Sequence, residues 1–95
     1  MMKILLLGDV MGASGRKAIK NHLTKIIKNN KINFTVINGE NAADDGRGIT
    51  KAIAEELFLL GADVITSGNH IWDKEETIDF INHEKRLLRP ANLAE

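Results

Sequence analysis

Apolar positions in this chain fall into four short runs, and each run breaks off into a polar loop. From Lys3 to Leu7 the run is unbroken after its first residue, the pattern of a strand buried on both faces. Residues 8–15 read as a loop. Ile19, Leu23, Ile26 and Ile27 then recur at helical spacing with lysines on the opposite face, which predicts a helix over about 16–28 that ends near Asn29-Asn30. Residues 34–37 form the second strand. A long loop, 38–49, separates it from a helix capped by Thr50, buried through Ile53, Leu57 and Leu60, and ended by Gly61. Residues 63–66 make the third strand and 67–72 a loop. Asp73 with Glu76 resembles a capping box for a helix carrying Ile78 and Ile81. Residues 86–88 make a fourth strand that ends at Arg89-Pro90-Ala91-Asn92. The alternation is β-α-β-α-β-α-β, which predicts an α/β fold with a parallel sheet and right-handed crossovers.

That order has a functional corollary. In an open α/β sheet the carboxyl ends of the strands share one edge, and ligands bind there. The loops at those ends carry Asp9, Glu40-Asn41, Asn69-His70 and Asn92. Residues scattered over the sequence are thereby expected to converge on one patch rich in oxygen donors, with one imidazole.

Composition narrows the classes. The chain has 95 residues, enough for a single small domain whose core leaves little margin. Thirteen Lys and Arg balance thirteen Asp and Glu, so no basic excess points to long nucleic acid, whereas a small phosphorylated substrate needs only a local site. With no cysteine, a disulfide framework and a thiolate zinc site are both excluded. No apolar stretch approaches membrane-spanning length, and the first apolar run is too short for a signal peptide, so a cytoplasmic protein is expected.

Each candidate has an ordinary reading beside the chemical one. Asp9, taken alone, is first a turn or cap residue, yet its carboxylate can take a cation. Glu40 has two oxygens with which it could bridge two metals, and Asn41 adds a neutral oxygen. Asp44 and Asp45 read as solvated loop acids, since their spacing is not that of an EF-hand. His70 sits in a Gly-Asn-His turn at the functional edge, and histidine's ordinary pKa lies close enough to neutrality to suit a general acid. His22 and His83 have no polar companions at ligand spacing and read as bystanders. Gly8, Gly12 and Gly15 fit neither a dinucleotide fingerprint nor a P-loop, and let the backbone approach a substrate or metal instead. Arg16 and Arg89 are phosphate-contact or capping residues. Trp72 is a packing anchor.

Taken in order, five motifs carry a resemblance: Gly8-Asp9-Val10-Met11-Gly12 through Gly15-Arg16; Asn38-Gly39-Glu40-Asn41-Ala42-Ala43; Gly46 to Thr50; Thr66-Ser67-Gly68-Asn69-His70-Ile71-Trp72-Asp73; and Arg89-Pro90-Ala91-Asn92. The chain resembles the amino-terminal part of a YmdB-type bacterial metallophosphoesterase, a family of dinuclear-metal phosphodiesterases acting on 2′,3′-cyclic nucleotides. The resemblance implies a layered α/β/β/α fold, of which residues 1–95 would be a single partial domain with the carboxy-terminal half absent. It implies two divalent ions, Fe, Mn or Mg. Asp9, Glu40 and Asn41 would hold one, Glu40 and Asn69 the second. A metal-bound hydroxide would attack phosphorus, and His70 would be the catalytic acid. Gly12, Arg16 and Asn92 would lie on the substrate side. Met11 stands where the wider superfamily has a histidine ligand, and Glu40 where it has a bridging Asp, the variation that marks this branch.

Later histidine ligands of the family, including a Gly-His-x-His motif, are not among these residues. The 95-residue chain is therefore expected to be weak or silent by itself, and an uncovered sheet edge and apolar face to favour self-association. Two rival readings remain at this stage: a catalytically incomplete assembly module, and a nucleotide-binding α/β module using the glycine loop.

Overall fold

The computed structural model describes residues 2–43, 48–68, 80 and 83–88. Its elements are β1 (Ile4–Asp9), α1 (Gly12–Asn30), β2 (Phe34–Asn38), α2 (Lys51–Leu60), β3 (Val64–Thr66) and β4 (Leu87–Leu88). All strand pairs are parallel, and the sheet order is β1-β2-β3-β4. The expected α/β architecture is therefore present.

Sheet order equals chain order, so successive crossovers advance in one direction and both helices fall on one face. There Ile19 and Leu23 of α1 and Ala54 and Leu57 of α2 close over Ile37, Ile65 and Leu87. Burial of these side chains is the main drive to fold, because apolar area removed from water contributes roughly 25 cal/mol per Å².

The other face corrects the expectation for β1. Leu5 and Leu7 turn toward the helices, but Ile4 is 55% and Leu6 73% exposed. Register sets Ile4 beside Phe34, Leu6 beside Val36, and Val36 beside Val64. Phe34 on this face, and Leu88 across from Thr66, are exposed as well. The run is apolar on both sides, but among the described residues a layer covers only one of them.

Local chemistry explains the boundaries. The Thr50 hydroxyl accepts the Ile53 N–H at 3.2 Å, the expected cap. Gly61, at φ 129°, closes α2 as its N–H meets the Phe58 carbonyl at 3.2 Å. Helix α1 begins four residues earlier than the periodicity predicts. Gly12, at φ 55°, makes the turn out of the strand, and the Gly15 N–H reaches the Met11 carbonyl at 3.0 Å. Its far end is Lys31 in the left-handed region, with the Ile32 N–H on the Ile27 carbonyl at 3.0 Å.

Strand β3 is one residue shorter than expected because Asp63 has another task. Its carboxylate accepts the Thr35 N–H at 2.7 Å, while its own N–H meets the Thr35 carbonyl at 2.8 Å. Short β4 is tied on by the Ile65 N–H to the Arg86 carbonyl at 2.8 Å. The Arg86 guanidinium lies 4.0 Å from the centre of the Phe58 ring and pairs with Glu84 at 2.9 Å, which holds the Glu84 carboxyl below the ordinary range. Trp72, the Asp73 and Glu76 capping pair, the helix expected around Ile78 and Ile81, and Arg89 to Asn92 lie outside the described residues. Among the described residues no helix is long and apolar enough to cross a membrane.

Candidate functional site

The carboxyl ends of β1, β2 and β3 meet at one edge, with Asp9 paired to Asn38 and Asn38 to Thr66. Asp9 owes its orientation to an irregularity. Leu7 pairs with Ile37, but the next pair is Asp9 with Asn38, so Gly8 is an extra residue in the ladder. Side chains alternate along a strand, and one inserted residue reverses the phase. Leu5 and Leu7 point to the helices, then Val10 does, buried at 5% exposure, and Asp9 is left exposed at the strand end. Without the insertion Asp9 would follow Leu7 inward.

Asn41 comes to Asp9 from the β2 loop. Its Nδ2 donates to both Asp9 carboxylate oxygens at 3.1 Å. The first turn of α1 fixes that loop. The Gly12 N–H donates to the Asn41 carbonyl at 2.9 Å, and Arg16 Nη1 to the Ala42 carbonyl at 2.5 Å. Two residues read from the sequence as substrate contacts thus also hold a ligand candidate in place.

Glu40 sits between β2 and β3. Its N–H donates to Asn38 Oδ1 at 3.0 Å, an Asx turn, and the Gly39 N–H donates to the Thr66 carbonyl at 2.8 Å. Its carboxylate lies across Gly68, where a Cβ would overlap it. Beyond Gly68, Asn69 and His70 fall outside the described residues, as do Asn92, Asp44 and Asp45. His22 is exposed on α1, and the His83 N–H donates to the Phe80 carbonyl at 3.0 Å, both on other elements.

Among the described residues no three His, Cys, Asp or Glu side chains gather as a cation site by themselves. What is present is a pair of carboxylates, Asp9 with the Asn41 amide N–H on its oxygens and Glu40 in the cradle of Gly68, with the Asn41 carboxamide oxygen on the same side chain as that N–H. Such donors suit a divalent cation of the Mg or Mn kind, and they fit one side of a metal site. Sequence reasoning named Asp9, Glu40 and Asn41. It gave no role to Asn38, though an Asn before Gly-Glu is an Asx-turn signal, and none to Gly68, whose role depends on a neighbouring strand.

Comparison with known proteins adds an independent finding. The family model described as YmdB-like protein matches residues 5–95. Over 94 residues the chain is 50% identical to the 2′,3′-cyclic-nucleotide 2′-phosphodiesterase of Bacillus subtilis, covering 99% of this chain and 35% of that protein. A solved structure of a novel phosphatase from Mycoplasma pneumoniae superposes with a TM-score of 0.90 at 34% identity, over 98% of this chain and 33% of the other. A hypothetical protein from Thermus thermophilus gives 0.87 at 34% identity, over 98% and 35%. The chain spans about a third of the length of the curated relatives it matches.

Proposed function

Because this chain belongs to the YmdB-like protein family, we propose that its strand-end loops form part of a divalent-metal phosphodiesterase site, acting in the cytoplasm on small phosphodiesters such as 2′,3′-cyclic nucleotides. The observation that carries the proposal is the contact of Asn41 with both oxygens of Asp9, which joins the end of β1 to the loop that also carries Glu40. Asp9, Glu40 and Asn41 would hold one cation, and Glu40 with Asn69 a second. Bound there, the two cations would supply Lewis-acid polarisation of the phosphoryl oxygens and a nucleophile at neutral pH.

The remaining chemistry belongs to side chains. His70 gives its proton to the ribose oxygen that leaves phosphorus, a role its near-neutral ordinary pKa suits. Gly12, Arg16 and Asn92 are assigned to the substrate side. A chimera tests the reading, with these 95 residues replacing the matching third of the Bacillus subtilis relative. Glu40→Ala in it is expected to abolish loading of two metals. His70→Ala is expected to keep metal and lower turnover on a 2′,3′-cyclic nucleotide by about 10²–10⁴-fold. Full turnover in His70→Ala would remove that residue from the mechanism.

A second reading concerns the chain as an assembly unit. Ile4 and Leu6, exposed at 55% and 73%, stand in register with Phe34 and Val36 on one bare face. We propose that this face packs against a second copy of the chain.

A further inference from the structure

We propose that Gly68 is a positioning residue for Glu40: its missing side chain lets the carboxylate rest at the β2–β3 junction, where a divalent cation would take it. The proposal rests on the metal reading above.

Two reasons for a glycine can be separated here. One is backbone freedom. The described glycines with positive φ are Gly12, Gly48 and Gly61, so Gly68 is not held in the left-handed region that favours glycine. The other is space. A Cβ on Gly68 would overlap Cδ, Oε1 and Oε2 of Glu40 together. The glycine is therefore required by the carboxylate and not by the chain's own path.

The displaced partner would be the side chain alone. Around Glu40 the backbone is held on three sides: the Gly39 N–H on the Thr66 carbonyl at 2.8 Å, the Glu40 N–H on Asn38 Oδ1 at 3.0 Å, and the Asn41 carbonyl under the Gly12 N–H at 2.9 Å. A carboxylate at the end of a flexible side chain swings aside at little cost to the fold. A methyl group at position 68 would thus leave the sheet intact and move the metal-facing oxygens. A metal site depends on such support, and loss of an orienting partner lowers affinity about 10–100-fold.

The test is Mn²⁺ titration of the Bacillus subtilis chimera followed by electron paramagnetic resonance, with the thermal midpoint of the metal-free chimera measured beside it. Gly68→Ala is expected to weaken Mn²⁺ binding about 10–100-fold with an unchanged midpoint. Glu40→Asp shortens the carboxylate by one methylene and clears the added methyl. It is expected to weaken binding in the wild-type background and restore part of it in Gly68→Ala, a coupling that a general loss of structure would not produce. If Glu40→Ala leaves affinity unchanged, or the wild-type chimera binds no Mn²⁺, the metal reading fails and this proposal with it. If Glu40→Ala lowers affinity and Gly68→Ala does not, the positioning role alone is overturned. A fall in the metal-free midpoint of Gly68→Ala with no relief by Glu40→Asp overturns it as well.

Discussion

A methyl group added at Gly39 would meet Ile65 Cγ2 at 2.8 Å and Ile49 Cδ1 at 3.1 Å. Both atoms belong to fully buried side chains, so neither can retreat into solvent as the Glu40 carboxylate can. Gly39→Ala is expected to destabilise the chain by about 1–3 kcal/mol, the ordinary cost of overpacking. Chemical denaturation measures it, and an unchanged midpoint would show that the core yields at this point. Asp9, Glu40 and Asn41 were legible as candidates because a carboxylate or carboxamide just past a strand is chemically informative wherever the strand lies. Gly68 and the clamp of Arg16 on the Ala42 carbonyl were not. Their meaning depends on which residue stands opposite in the next loop, and a one-dimensional reading has no access to that pairing. His70, the residue given the central chemical role, lies outside the described residues.

At the level of elements, the best-read boundaries are those made by one residue acting on its near neighbours. Thr50 and Gly61 delimit α2 through hydrogen bonds within four residues. Thr50→Ala removes the acceptor for the Ile53 N–H and is expected to cost about 1 kcal/mol. Thermal denaturation of that variant checks it, with Thr50→Ser, which keeps the hydroxyl, expected to stay near wild type. Boundaries set by tertiary packing were harder to read. The stretch Gly12-Ala13-Ser14-Gly15 has the composition of a loop, yet it is the first turn of α1. Gly15 there packs so closely on Val10 that a Cβ would lie 3.1 Å from the valine Cγ1. The bulge at Gly8 was equally invisible, because an extra residue in a ladder is defined by its partner strand.

For the molecule as a whole, parallel pairing and the order of the described elements followed from the pattern of apolar runs, since alternating strands and helices leave few topologies open. The bare face did not follow. An apolar run says that a strand is covered on both sides, but not which polypeptide provides the second cover. If a second copy does so, the mass measured by sedimentation rises with concentration. Leu6→Lys, which charges the centre of the face without touching the core, is expected to return the chain to a monomer. A wild-type mass that stays monomeric at every concentration would refute the pairing. Sheet order matching chain order has a last consequence, in time. Each strand joins beside the one made just before it, and none is inserted between older neighbours. The pairing of each strand therefore needs only a neighbour that precedes it in the chain. Every group in the Asp9–Asn41 contact precedes β3 in the chain, whereas the Glu40 carboxylate waits for the loop after β3 to supply Gly68.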